Sequence, residues 1–88
     1  MAVRKALVVD DSAADLANIK SILSDAGCMV VTAMSGKEAI DKAKSEHPSL
    51  IFMDVVMPDM DGYEACRLLS QDTGTKGIPV VFVTSKGQ

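Results

Sequence analysis

The sequence predicts a single α/β domain built on a parallel sheet. Three observations predict it. Short apolar runs alternate with amphipathic segments in the order β-α-β-α-β-α-β, and such alternation builds a parallel sheet with helices on both faces. Two of the runs, Ala6-Leu7-Val8-Val9 and Leu50-Ile51-Phe52-Met53, contain no polar residue, the pattern of strands buried on both faces. Both run directly into carboxylates, Asp10-Asp11 and Asp54, and open parallel sheets bind ligands beyond the carboxyl ends of their strands.

Taken in order, the first strand covers about Lys5 to Val9. Ser12 then opens a helix, with Asp15 as an aspartate variant of the capping box. Leu16, Ile19, Leu23 and Ala26, with Ile22 beside them, form a core-facing stripe, and Gly27 suits the C-terminal cap. Met29 to Ala33 is the second strand. Ser35 and Glu38 repeat the capping-box spacing, and Ala39, Ile40 and Ala43 give the next helix a short apolar face. Glu46-His47-Pro48 ends that helix, because a residue before proline avoids the helical region. The strand ending at Asp54 follows, and then a loop through Asp61. A third helix runs from Gly62 or Tyr63 to Gln71, with Ala65, Leu68 and Leu69 inward. Gly74 and Gly77 mark a turn, and Pro79 to Thr84 is the last strand.

Composition narrows the function. Eighty-eight residues make one domain, which buries roughly 60–65% of its unfolded surface. Net charge is −3, with the basic residues scattered, and Phe52, Phe82 and Tyr63 are the only aromatics; neither a nucleic-acid footprint nor a base-stacking surface is expected. Cys28 and Cys66 lie in apolar-patterned segments and read as buried reduced thiols, not a disulfide. No run is long enough for a signal peptide or membrane span, so a cytoplasmic protein with no membrane partner is expected.

If the strands ending at Asp10-Asp11 and Asp54 are neighbours, three carboxylates crowd one sheet end and call for a counter-cation. Hard oxygen donors suit Mg²⁺. Asp11 and Asp54 are the candidate ligands, with the backbone carbonyl of Val56, and Asp10 acts through a coordinated water. Asp54 is the candidate nucleophile towards phosphorus, forming an acyl phosphate. In a strand order 2-1-3-4, Thr84 would stand beside Asp54 with its hydroxyl within reach of a phosphoryl oxygen. The plainer reading of Asp10-Asp11 is a charge pair at a helix N-terminus. Asp59 and Asp61 read as turn residues, His47 as solvent-exposed and Tyr63 as a packing residue. The methionines read mostly as core filler, with Met57 and Met60 near the site or a partner.

Three stretches together, Val8-Val9-Asp10-Asp11-Ser12, Met53-Asp54-Val55-Val56-Met57-Pro58-Asp59-Met60-Asp61-Gly62 and Ile78-Pro79-Val80-Val81-Phe82-Val83-Thr84-Ser85, closely resemble the receiver domain of two-component response regulators. The likeness is greatest to single-domain regulators of chemotaxis and twitching motility. The resemblance implies a flavodoxin-like fold that takes phosphate from a histidine kinase in a Mg²⁺-dependent step. It makes Asp54 the phosphoacceptor, Asp10 and Asp11 the acid pocket and Thr84 the switch hydroxyl. No turnover of a separate substrate is expected, since the aspartate is itself the substrate.

Receivers carry five strands, and this chain stops just after the fourth. The family's lysine at the end of strand five has no counterpart at a matching position. Lys86 is a candidate substitute cation, against the plainer reading of a solvated terminal charge. A naturally minimal receiver and a fragment both fit that length. With strand four at the sheet edge, unpaired backbone groups and apolar faces are exposed, and a homodimer through that edge is expected. The alternative function is a phosphorylation-independent dimerisation or binding module on a degenerate receiver scaffold.

Overall fold

The computed structural model describes residues 5–57 and 59–83. Seven elements follow one another: β1 (Lys5–Val9), α1 (Ala13–Asp25), β2 (Met29–Ala33), α2 (Gly36–Glu46), β3 (Leu50–Asp54), α3 (Gly62–Gln71) and β4 (Val80–Val83). The strands form one parallel sheet in the order β2-β1-β3-β4. The order reverses between β1 and β3, which makes that seam the switch point of the fold.

Strand alternation separates two unequal layers. Leu7, Val9, Ala33, Ile51 and Met53 point to one face, where Ala39 and Ala43 of α2 and Ala65 and Leu69 of α3 complete a buried core with Met57. The small alanines of α2 let it sit close to β1 and β2, and α3 packs beside it. On the opposite face Ala6, Val8 and Leu16 are buried, but Leu50 and Phe52 are only half-covered. The expectation that β3 is buried on both faces therefore holds for one. The stripe on α1 is likewise shallower than its spacing suggests. Leu16 is buried and Ile19 and Leu23 are half-buried, while Ile22 is 68% exposed and Ala26 is exposed. This helix packs on β1 and β2, so a single row of its apolar residues meets the sheet and the flank carrying Ile22 does not.

The ends of the helices are closed by identifiable groups. The Ser12 hydroxyl accepts from Asp15 N–H at 3.3 Å. At the far end of α1, Gly27 takes φ +88°, its N–H donates to Ser24 O and Cys28 N–H donates to Leu23 O, a Schellman arrangement. Helix α2 ends on His47 in the left-handed region at φ 50°; its ring is exposed, as expected. Lys5 Nζ donates to both Glu46 O and Glu46 Oε1 at 3.1 Å, tying the start of β1 to that terminus. Beyond α3, the buried Thr75 hydroxyl donates to Leu69 O at 2.7 Å. Asp72 accepts from Gly74 N–H and pairs with Lys44 at 3.3 Å.

The last strand begins at Val80, one residue later than the apolar run suggests. Pro79 has no N–H for the ladder and contributes only its carbonyl, to Ile51 N–H. Both cysteines are free thiols, half-buried instead of buried. Met29 and Met34 are exposed and do not fill the core. Tyr63 does pack, its ring centroid 4.7 Å from that of Phe82, but it remains 60% exposed.

Candidate functional site

The site is assembled by register. Val9 of β1 lies opposite Met53 of β3, so the residues that follow them, Asp10 and Asp54, emerge side by side. Asp10 N–H continues the ladder by donating to Ala33 O at 3.0 Å, which anchors its backbone to β2. Asp10 and Asp54 are 2% and 1% exposed, whereas Asp11 faces solvent. Carboxylate oxygens of all three lie within 4.8 Å of one another.

Both buried carboxylates shape the turn that follows their strand. Asp10 Oδ1 accepts from Ser12 N–H at 2.9 Å and Asp54 Oδ1 accepts from Val56 N–H at 3.4 Å. The same i to i+2 pattern thus recurs at two neighbouring strand ends. In the first case it delivers the chain to Ser12, the cap of α1; in the second it starts the loop towards α3.

That loop is pinned at three points. Gly62 N–H donates to Val55 O at 2.7 Å. A Cβ at Gly62 would overlap the Asp54 carbonyl oxygen; only glycine permits that approach. Asp61 caps α3, its Oδ1 accepting from Glu64 N–H at 2.7 Å. Asp59 reaches across to α2, accepting from Gly36 N–H on Oδ1 and from Lys37 N–H on Oδ2, both at 2.9 Å. These two amides hold the Asp59 carboxyl below the usual carboxylate range. Met60 packs where a Cβ on Gly36 would otherwise sit.

Asp59 and Asp61 are therefore helix caps as well as turn residues. Met57 is buried in the core. The sequence does contain a signal for Asp61, which stands three residues before Glu64 in the capping-box spacing. It contains none for Asp59, whose partners are 23 and 22 residues away. The Ser35 and Glu38 pair also departs from the expected box. Ser35 Oγ accepts from Glu38 N–H at 3.1 Å, but the Glu38 carboxylate accepts from Met34 N–H, one residue before the cap.

Of the predicted site residues, Asp10, Asp11 and Asp54 converge. Val56 follows in the loop with its side chain exposed. Thr84 and Lys86 lie outside the described residues; Val83, opposite Asp54, is the last residue described on β4. The donor set fits a hard divalent cation. It is all oxygen, two members are held by buried strand ends, and the third faces water, as Mg²⁺ requires to keep part of its hydration shell.

An open parallel sheet with a carboxylate cluster at its switch point defines a class of α/β protein whose ligand site lies at that seam. Comparison with known proteins narrows the class. Residues 6–88 match the response regulator receiver domain, and the chain belongs to that family. It is 38% identical over 82 residues to protein PilG of Pseudomonas aeruginosa, covering 93% of this chain and 61% of PilG. The N-terminal domain of a response regulator receiver protein from Methanoculleus marisnigri superposes with a TM-score of 0.92 at 32% identity, over 99% of this chain and 71% of that one. Vibrio cholerae chemotaxis protein CheY4 gives 0.89 at 33% identity, over 99% and 72%. Among the described residues no helix is long and apolar enough to cross a membrane.

Proposed function

We propose that this receiver domain is a phosphorylation switch in which Asp54 accepts a phosphoryl group from the phosphohistidine of a histidine kinase. The observation that carries the reading is the meeting of Asp10, Asp11 and Asp54 within 4.8 Å at the ends of β1 and β3. Three carboxylates so close repel one another unless a cation neutralises them. Asp11, Asp54 and the Val56 carbonyl would hold Mg²⁺, with Asp10 acting through water. The ion would offset negative charge where phosphate approaches. An Asp54 carboxylate oxygen attacks phosphorus, the bond from phosphorus to the histidine nitrogen breaks, and an acyl phosphate remains on Asp54. The strand holds the nucleophile in place, and the i+2 bond from Val56 N–H orients Oδ1. Thr84 is assigned the switch hydroxyl; Lys86 is a candidate substitute cation, against the plainer reading of a solvated terminal charge.

Incubation with Mg²⁺ and acetyl phosphate, followed by intact mass measurement, tests this. Wild type should gain one phosphoryl group and Asp54→Ala should gain none. Equal masses with and without phosphodonor would overturn the reading.

A second copy of this chain is the partner that the β4 edge suits. Among the described residues β4 pairs only with β3. Val81 on that strand is 44% exposed, on the face opposite the Phe82 ring that packs on Tyr63, a partly apolar edge open to strand pairing. Ultracentrifugation before and after phosphorylation separates the switch from a phosphorylation-independent module: the switch changes the dimer fraction, the module does not.

A further inference from the structure

The first amides of a helix have no partners within it, and in α2 the first three are all served by side chains. Glu38 N–H donates to Ser35 Oγ. Gly36 N–H and Lys37 N–H donate to the two oxygens of Asp59, a residue on the loop after β3. The local cap accounts for one donor and the distant carboxylate for two. Charge-assisted bonds of this kind are among the stronger ones, and the positive end of the helix dipole adds to them.

Val56 lies in the stretch between two fixed points. On one side Asp54 accepts from its N–H and Val55 O accepts from Gly62 N–H. On the other, Asp59 holds α2 and Met60 fills the space over Gly36. We infer that Asp59 is a positioning residue for the cation site: by clamping the β3–α3 loop to the N-terminus of α2 it sets the direction of the Val56 carbonyl, and with it the affinity for Mg²⁺. The inference rests on the reading of Asp11, Asp54 and Val56 as the cation's ligands. Helix α2 becomes part of the site's frame although none of its side chains is a ligand.

Two variants separate positioning from mere stability. Asp59→Ala removes both acceptors at the start of α2. Ser35→Ala removes the third and leaves the loop clamp in place. Both should lower the melting temperature. Mg²⁺ affinity is then measured by titration calorimetry, well below either melting point. Asp59→Ala should weaken binding about tenfold, the lower end of what supporting groups contribute to metal sites, and Ser35→Ala should leave it unchanged. Asp59→Asn, which keeps one acceptor oxygen, should recover part of the loss and serves as the readout if Asp59→Ala does not fold. Equal Mg²⁺ affinity in wild type and the Asp59 variants, or an equal loss in Ser35→Ala, overturns the inference. Wild type that binds no Mg²⁺ instead overturns the ligand reading beneath it, a distinct result.

Discussion

Gly62 approaches the Asp54 backbone so closely that its absent side chain is part of the site. A Cβ there would meet the Asp54 carbonyl oxygen and crowd Met53 Cγ, while Gly62 N–H donates to Val55 O at 2.7 Å. The first residue of α3 is thereby locked against the end of the strand that carries Asp54.

Gly62→Ala should consequently cost about 1–3 kcal/mol, the usual range for overpacking, and should slow phosphorylation of Asp54 by acetyl phosphate. The nearest atom, the Asp54 carbonyl oxygen, is backbone and cannot rotate aside. Urea denaturation and the rate of mass gain check the two effects. Unchanged stability would show that the loop can yield.

The acidic cluster makes charge removal stabilising. Asp54→Asn keeps an acceptor for Val56 N–H and removes one of three crowded charges. In the absence of divalent cations it should stabilise the fold by about 1–4 kcal/mol, the span for unit charges about 4 Å apart between water and a protein-surface dielectric. Mg²⁺ should raise the melting temperature of wild type, with about 2.7 kcal/mol gained at a hundredfold excess over Kd, and should do less for the variant. Calorimetric melting with EDTA and with Mg²⁺ measures both.

Asp59 also has a pH signature. Bonds from Gly36 N–H and Lys37 N–H hold its carboxyl below the ordinary value. A carboxyl depressed on folding contributes stability above its unfolded pKa and loses it as pH falls through the lower folded value. Asp72 follows the same sign, through Gly74 N–H and then Lys44. Wild type should therefore exceed Asp59→Asn in urea midpoint near neutral pH. The gap should close on acidification below the ordinary carboxylate range, about pH 4. A constant gap across that range would assign the difference to packing.

The two sides of α1 should respond differently to truncation. Leu16→Ala, buried against the sheet, should cost about 2–5 kcal/mol. Ile22→Ala, at a largely exposed position, should stay within about 0.5 kcal/mol. Melting of the two variants at low protein concentration tests this. A large loss at Ile22 would mean that something covers that flank in solution.

Most of the frame was legible in the sequence because its signals are local. Short, mostly apolar runs marked the strands, Ser12 and Ser35 marked helix starts, and Gly27 and His47-Pro48 marked helix ends. β1, β2 and β3 lie where those signals put them. The paired carboxylates at strand ends marked the site for the same reason: a strand's end and the residue after it are adjacent in the chain. The depth of the α1 stripe was not legible, since periodicity tells which residues share a face but not how much sheet lies beneath it.

By itself, the sequence determined the order and type of the elements and the identity of the acids at the ends of two strands. Local backbone preferences and the apolar period decide those without reference to the rest of the molecule. Only the tertiary structure decided that β1 and β3 pair in the register bringing Asp10 beside Asp54. It also decided that Asp59 belongs to the start of α2, and that Gly62 must press on the Asp54 carbonyl. These contacts join residues separated by many positions, and their geometry exists only once the sheet has set the distance between its strands.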